Sequence, residues 1–393
     1  MQFSSINFRL GKINRKCSPI KVFDDRIINF LNYLSKNIMS EKKSRLFPDL
    51  FSFGFWCRKE NMNKLKNSYN SQNLMFGRGN AFHVCPSNVP MNFAYSLVFG
   101  LLSGNDNIIR LPSRNFDQSE LLIKIIKKIL KKKIFKFIVK KICLINYDKS
   151  DQISQLISEF SNVRLIWGGD ETIKKFKKFD TNPRCIDLYF SNRYSISVIS
   201  TDKLKDDKDN NLLKIVNNFY NDAFTMDQLG CSSPQAVFFV GKTNSNIKKF
   251  WKILQDITNN KYIADYSVTN KKFALMSKNI IKNKINVRAS YVKFNLTRLK
   301  INNLKYNIED FQNGFGTFFE INIKNLESLK EIISNKYQTL SYYGFKKEDL
   351  KKFISKNHLL GIDRIVPIGR AFDMGHIWDG YDLIESLSRK VAE

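Results

Sequence analysis

One cysteine stands among small and polar residues in Asp227-Gln228-Leu229-Gly230-Cys231-Ser232-Ser233-Pro234. A cysteine kept for packing is normally surrounded by Val, Leu and Ile. Here Gly230 permits close approach of the backbone to a ligand, and Pro234 closes the turn. A sulfur exposed in such a turn, near backbone N–H donors, is favoured as thiolate, the form that attacks acyl groups. The competing account is an incidental structural cysteine. A second signal is Gly168-Gly169-Asp170-Glu171-Thr172, where a strand passes into a helix. Free N–H groups at such a turn suit a phosphate; an ordinary tight turn would read the same way.

Other chemistries find less support. The six cysteines are scattered without a Cys-x-x-Cys pair, and three histidines make a histidine-based metal site improbable. The formal charge is +29, which invites a nucleic-acid or membrane-surface binder. Yet Lys, Asn and Ile crowd every segment, as in a protein from an AT-rich genome. The lysines form no single stripe and no nucleic-acid-binding motif accompanies them, so no nucleic-acid partner is expected. The basic stretch Leu121 to Lys141 reads as a sheet-packing helix and strand with a solvated lysine face rather than as a docking surface. Met1 to Arg15 has no apolar core or small-residue cleavage site, and Phe93 to Leu102 is too short to span a bilayer. A cytoplasmic protein is expected.

The elements that must position these residues alternate. Strands are expected at Ala81–Val84, Asn107–Leu111, Ile142–Ile145, Val163–Trp167 and Tyr194–Ser200. Helices are expected at Met91–Leu102, through Leu121–Lys133 with Asp117 or Ser119 as cap, and at Ser150–Phe160. This is the pattern of an α/β fold with a parallel sheet and helices on both faces. The charged run Thr201 to Asn211 reads as a surface connection and a domain boundary. Beyond it come helices at Leu212–Phe219, Asn246–Ile257 and Ser328–Lys336, and strands at Ala236–Val240 and Phe315–Ile323. The expected domains are 1–203, Rossmann-like with an N-terminal helical extension; 204–355, carrying Cys231; and 356–393, packing back at the cleft or at an oligomer interface.

Several motifs resemble one family. Phe82-His83-Val84-Cys85-Pro86-Ser87-Asn88-Val89-Pro90, Arg110-Leu111-Pro112-Ser113-Arg114-Asn115, Gly230-Cys231-Ser232-Ser233-Pro234-Gln235, Arg364-Ile365-Val366-Pro367-Ile368-Gly369-Arg370 and Trp378-Asp379-Gly380-Tyr381-Asp382 are similar to the LuxC-type acyl-CoA reductases. The resemblance runs from about Phe76 to the C-terminus. That family looks like a divergent branch of the aldehyde dehydrogenase superfamily. The resemblance implies an aldehyde dehydrogenase-like fold, Cys231 as nucleophile and Asn88 as an oxyanion donor. It implies a cofactor site drawing on Ser87, Arg110, Ser113, Arg114, Gly168, Gly169 and Phe315, with Phe315 against the nicotinamide. Arg114 stands where simple aldehyde dehydrogenases carry a ribose-binding Glu; a guanidinium attracts a 2′-phosphate, which favours NADPH. Tyr189 falls where the superfamily has a water-activating Glu, and tyrosine is no base near neutral pH. Ile173 replaces the second glycine of the pyrophosphate turn.

The implied activity is reduction of a fatty acyl thioester, on CoA or on a protein, to an aldehyde. An acyl-protein synthetase is a candidate partner, and a homo-oligomer is expected. The alternatives are a cysteine hydrolase or acyltransferase without redox chemistry, which needs a histidine such as His83 or His376 brought up by the fold, and the basic surface binder.

Overall fold

The structure, a computed structural model, describes residues 5–69, 74–148, 150–262, 266–283, 288–292, 295–302, 304 and 307–392. The first four residues of the N-terminal stretch read above for a signal lie outside them. The chain divides into two compact units, Met1–Ser191 with His376–Glu393, and Asn192–Gly375.

The first unit begins with β1 (Asn7–Leu10), α1 (Asp25–Ser40), α2 (Pro48–Trp56), α3 (Lys59–Ser68) and β2 (Leu74–Gly77). There follow β3 (Asn80–Val84), α4 (Asn92–Leu102), β4 (Asp106–Arg110), α5 (Asp117–Leu130), α6 (Lys136–Val139), β5 (Ile142–Asn146), α7 (Asp151–Glu159), β6 (Val163–Trp167), α8 (Asp170–Phe176) and β7 (Ile186–Phe190). The sheet order is β1-β5-β4-β3-β6-β7, parallel except for β1. The order reverses at β3, the point where an open α/β sheet leaves a crevice at the strands' carboxyl ends.

Strand alternation explains the layers. Phe82 and Val84 face a core shared with Ile153 and Ile157 of α7 and with Ile173 and Phe176 of α8. His83, between them, faces α4, where its Nδ1 lies 2.7 Å from Ser96 Oγ and its Nε2 3.1 Å from Asn107 Oδ1. A Cβ on Gly100 would come within 1.9 Å of Asn107 Oδ1, so α4 needs a glycine there to lie against the strands.

The second unit comprises β8 (Tyr194–Ser200), α9 (Thr201–Asp206), α10 (Asp209–Phe224), β9 (Pro234–Val240), α11 (Ser245–Lys261), α12 (Tyr266–Asn283), β10 (Arg288–Val292), β11 (Thr297–Ile301), β12 (Thr317–Ile323), β13 (Tyr337–Tyr343), α13 (Lys347–Lys356) and β14 (Arg364–Pro367). Its sheet order is β10-β11-β12-β9-β8-β13-β14, parallel except for β10. Both faces are buried. Ile196, Val198, Ala236, Phe238, Phe319 and Ile321 form one core with Leu350 and Phe353 of α13. Val237, Phe239 and Phe318 form the other, under Leu212, Val216 and Phe219 of α10 and Phe250, Trp251 and Leu254 of α11. The chain then returns to the first unit as β15 (Ile377–Trp378), β16 (Tyr381–Asp382), α14 (Leu383–Ser386) and β17 (Ser388–Val391), with β17 antiparallel to β2.

Several expectations change. The division falls before Tyr194 and not near residue 203, because β8 pairs with β9 and β13. The 356–393 segment is split between the units. The charged run from Thr201 is helical, with Ser200 accepting from the Lys203 N–H as N-cap of α9. The cap of α5 is Phe116, without a side-chain bond, and not Asp117 or Ser119. The helix expected at Ser328–Lys336 is only a 3₁₀ turn, Leu326–Leu329, before β13. Beyond α5, Lys133–Phe135 is a 3₁₀ turn leading into α6, so the basic stretch carries more helix than expected before β5.

Candidate active site

Cys231 is exposed, whereas Cys57, Cys85 and Cys143 are buried. Burial pushes the Cys143 thiol up to about 12 and raises Cys57 and Cys85 further. The turn that exposes Cys231 is held from several sides. Asp227 and Gln228 have left-handed backbones, with φ of 52° and 60°. The buried Gln228 amide fixes them: its Nε2 donates to the carbonyls of Pro234 (2.8 Å) and Thr317 (3.0 Å), and its Oε1 accepts the Thr317 N–H (2.9 Å). Ser195 Oγ donates to the Cys231 carbonyl at 2.6 Å. Tyr262 donates its hydroxyl to Asp227 at 2.7 Å.

The loop before β12 is built against this turn. Gly314, Phe315 and Gly316 all have positive φ, 66°, 51° and 71°. For Phe315 that conformation costs roughly 1–2 kcal/mol. It is held by donation of the Phe315 N–H to Asp227 O at 2.7 Å. A Cβ on Gly314 would lie 2.7 Å from Leu229 Cδ2. Phe315 therefore belongs to a strained loop joined to the cysteine turn, and the strand expected from Phe315 starts only at Thr317.

The other candidates lie in the first unit, at the carboxyl ends of its strands. Ser87 and Asn88 are exposed in the bend after β3. Arg110 ends β4, its guanidinium 4.4 Å from the centroid of the Tyr147 ring. Ser113 and Arg114 follow and are exposed, with Arg114 over Phe116 at 5.1 Å. Gly168 and Gly169 connect β6 to α8, with Gly169 as N-cap, and a Cβ on Gly168 would meet the Thr172 side chain at 3.0 Å. The loops after β3 and β6 flank the switch point of the sheet. Tyr189, in β7, donates its hydroxyl to Asp187 at 2.5 Å, and Asp187 is held by Arg164 at 2.6 and 2.7 Å. Burial and that carboxylate raise the phenol further from neutrality.

A sequence model of the acyl-CoA reductase (LuxC) family matches residues 57–390. The chain belongs to that family. The long-chain acyl-protein thioester reductase of Aliivibrio fischeri is 24% identical in an alignment of 335 residues that covers 80% of this chain and 64% of the relative. The chain thus spans less than two thirds of that curated relative's length. Solved structures agree on the fold. Lactaldehyde dehydrogenase from Escherichia coli superposes with a TM-score of 0.63 at 13% identity, over 93% of this chain and 84% of that one. Thermus thermophilus 1-pyrroline-5-carboxylate dehydrogenase gives 0.65 at 11%, over 94% and 81%. A 3,6-anhydro-L-galactose dehydrogenase, solved in complex with NAP, gives 0.62 at 12%, over 94% and 84%. This LuxC-family chain therefore has the aldehyde dehydrogenase-like fold. Among the described residues no helix is long and apolar enough to cross a membrane, and no cluster of His, Cys, Asp and Glu could hold a metal ion.

Sequence reasoning gave no role to Asp222, Arg364 and Phe372; Arg364 opens the Arg364–Arg370 motif, and no local signal marked the other two. Asp222, buried in α10, accepts the N–H groups of Gly369 (2.6 Å) and Ala371 (2.9 Å). Burial pushes its carboxyl up to about 6, against the pull of those two donors. The folded value exceeds the unfolded one near 4, so the native state binds the proton more tightly. Stability from this group is present at low pH and is lost as pH rises from about 4 through about 6. Asp222→Asn should remove that slope: in chemical denaturation the variant should gain on the unmodified protein across this window.

Proposed function

We propose that the chain reduces a fatty acyl thioester, on CoA or on a carrier protein, to the fatty aldehyde. The observation that carries this reading is the exposed Cys231, braced by the Phe315 loop, within a family match that spans most of the chain. The Cys231 thiolate attacks the thioester carbonyl; the carbon–sulfur bond to the donor breaks, and the donor leaves as a thiolate that takes a proton from solvent. Asn88 donates its amide to the carbonyl oxygen as charge develops there. The acyl group stays on Cys231 until reduction, when the Cys231 sulfur leaves and the aldehyde is released.

The first-unit residues fit a dinucleotide: a switch-point crevice, a glycine whose Cβ would crowd Thr172, and exposed Ser113 and Arg114 beyond β4. Ser87, Arg110, Ser113, Arg114, Gly168 and Gly169 would hold NADPH, with Phe315 beside its nicotinamide, and the cofactor supplies the hydride when bound. An acyl-protein synthetase as donor partner and a cytoplasmic homo-oligomer complete the reading.

The hydrolase alternative loses a base. His83 is fully buried between Ser96 and Asn107, and burial brings it down to about 4. His376 packs edge-on against Tyr69, with Asp382 4.0 Å away.

The test is oxidation of NADPH against a panel of acyl-CoAs, with aldehyde identified by mass spectrometry. Aldehyde and oxidised cofactor should appear in equal amounts, and NADPH should serve better than NADH. Losing a charge-assisted contact to the 2′-phosphate costs about 1.5–3 kcal/mol, so Arg114→Glu should narrow or reverse the preference. Free acid without cofactor oxidation would sink the reductase; an unchanged NADPH-to-NADH ratio in the variant would place the 2′-phosphate elsewhere.

A further inference from the structure

We propose that the backbone N–H of Ser232 is a further oxyanion donor for acyl transfer at Cys231, and that Ser195 is the positioning residue that aims it. The inference rests on Cys231 being the nucleophile.

Gly230–Ser233 is a four-residue turn, closed by donation of the Ser233 N–H to the Gly230 carbonyl at 3.0 Å. Cys231 and Ser232 are its central residues. The orientation of the peptide between them is what separates a type I turn from a type II turn. The carbonyl of that peptide, on Cys231, accepts from Ser195 Oγ at 2.6 Å. In a trans peptide the N–H points opposite to the carbonyl, so the Ser232 N–H is turned away from Ser195 and β8. Ser232 is 1% exposed, and among the described residues its N–H meets no acceptor. A buried backbone donor without a partner is rare, because it forfeits a hydrogen bond. Directly after a nucleophile it has a use. Attack by the Cys231 sulfur forms the new carbon–sulfur bond and moves the carbonyl electron pair onto oxygen. The Ser232 N–H donates to that oxyanion and keeps its proton; collapse returns the pair and expels the donor thiolate. A flipped peptide would present the Cys231 carbonyl oxygen there instead, and would need a left-handed backbone at Ser232. Ser232 is not left-handed.

Ser195 reaches the turn because the sheet leaves register on both sides of it. Toward β9 the pairing passes from Ser195 with Pro234 to Ile196 with Ala236, so Gln235 is an extra residue. Toward β13 it passes from Tyr194 with Tyr337 to Ile196 with Leu340, so Gln338 and Thr339 stand against Ser195 alone. Bulges of this kind re-aim side chains. The Thr339 N–H donates to Ser195 Oγ at 3.2 Å, which directs the hydroxyl proton to the Cys231 carbonyl. Gln338 Oε1 accepts from Ser232 Oγ at 3.3 Å, and Gln235 Nε2 donates to the Gln228 carbonyl at 2.7 Å. Both bulges thus send a side chain into the cysteine turn.

The experiment compares two reactions of Cys231 without cofactor, each read by peptide mass spectrometry. Acylation by a labelled long-chain acyl-CoA develops an oxyanion; alkylation by iodoacetamide, a displacement at saturated carbon, does not. In single turnovers Ser195→Ala should lower the maximal acylation rate about 10- to 100-fold. The half-saturating donor concentration and the alkylation rate should stay within about three-fold. Ser195→Cys, of similar shape with a weak donor, should slow acylation in the same way; it carries the test if the alanine variant does not fold. Ser197→Ala removes the hydroxyl that meets Ser341 two residues along β8, and should change neither reaction. Acylation within about three-fold in a folded Ser195 variant would overturn the proposal. So would alkylation that falls in step with acylation, or equal slowing in Ser197→Ala. An unmodified protein that takes no label on Cys231 fails the nucleophile reading and this inference with it. One that takes the label but is not slowed in Ser195→Ala fails this inference alone.

Discussion

Cys231→Ala should carry no acyl label after incubation with a labelled long-chain acyl-CoA, and aldehyde formation should fall by at least about 10⁴-fold. Stability should hardly change, because the lost sulfur is on an exposed residue, where substitutions cost within about 0.5 kcal/mol. That separation of activity from stability marks a chemical role. Peptide mapping of the unmodified protein should find the thioester on Cys231. The partly exposed Cys17 and Cys185 serve as internal controls, and burial raises the Cys185 thiol to about 11. Without NADPH the acyl-enzyme should persist, since the Tyr189 hydroxyl is committed to Asp187 and His83 is sealed in the sheet. Label retained in the alanine variant would move the nucleophile elsewhere; rapid release of free acid would promote the hydrolase.

The largest effect on stability is expected at Asp106→Ala. Asp106 pairs with Lys141 at 2.6 Å, and the two side chains are 7% and 2% exposed. Both also bind Ser18: its N–H donates to the carboxylate at 3.2 Å, and Lys141 donates to its carbonyl. Removing the carboxylate leaves a buried ammonium with the Ser18 carbonyl and, 5.5 Å away, the Phe137 ring centroid. Breaking such a pair costs about 3–5 kcal/mol, far more than the pair's net worth. The double variant Asp106→Leu with Lys141→Met should recover most of the loss, because replacing both charges with apolar side chains removes the desolvation penalty. Chemical denaturation of the single and double variants measures this. A single variant within about 1 kcal/mol of the unmodified protein would mean that water reaches Lys141. The pair matters to the site because it ties the start of β4, whose other end carries Arg110, to the end of the lysine-rich segment.

How much of this was legible in the sequence depends on the range of the interaction. The cores of β3, β4, β5, β6, β8 and β9 were readable because a strand buried on both faces must be apolar along its length. The helices α4, α5, α7 and α11 were readable from their spacing. The family resemblance marked the loops that carry Ser87, Asn88, Ser113 and Arg114, and turn chemistry together with that resemblance marked Cys231. What failed was whatever depends on a partner distant in the chain. β8 could not be assigned to its sheet, because sheet membership is decided by the edges of β9 and β13. The stretch Ser328–Lys336 has helix-forming residues, yet it must end early so that Tyr337 can enter the sheet beside Tyr194, where the two rings meet edge-on at 5.3 Å.

By itself, then, the sequence determined the fold class and the family and marked the cysteine turn as a candidate, because periodicity, turn chemistry and motif are properties of neighbouring residues. Only the tertiary structure decided which groups surround that turn. Gly230 is a glycine because Phe372, more than a hundred residues later, fills the place of its side chain. Arg364 donates to the carbonyls of Arg370, Ala371 and Asp373, and Phe315 adopts a backbone that its own sequence would resist. These are consequences of close packing between segments that meet only when the sheet has formed, and steric exclusion at such contacts has no local signature in the chain.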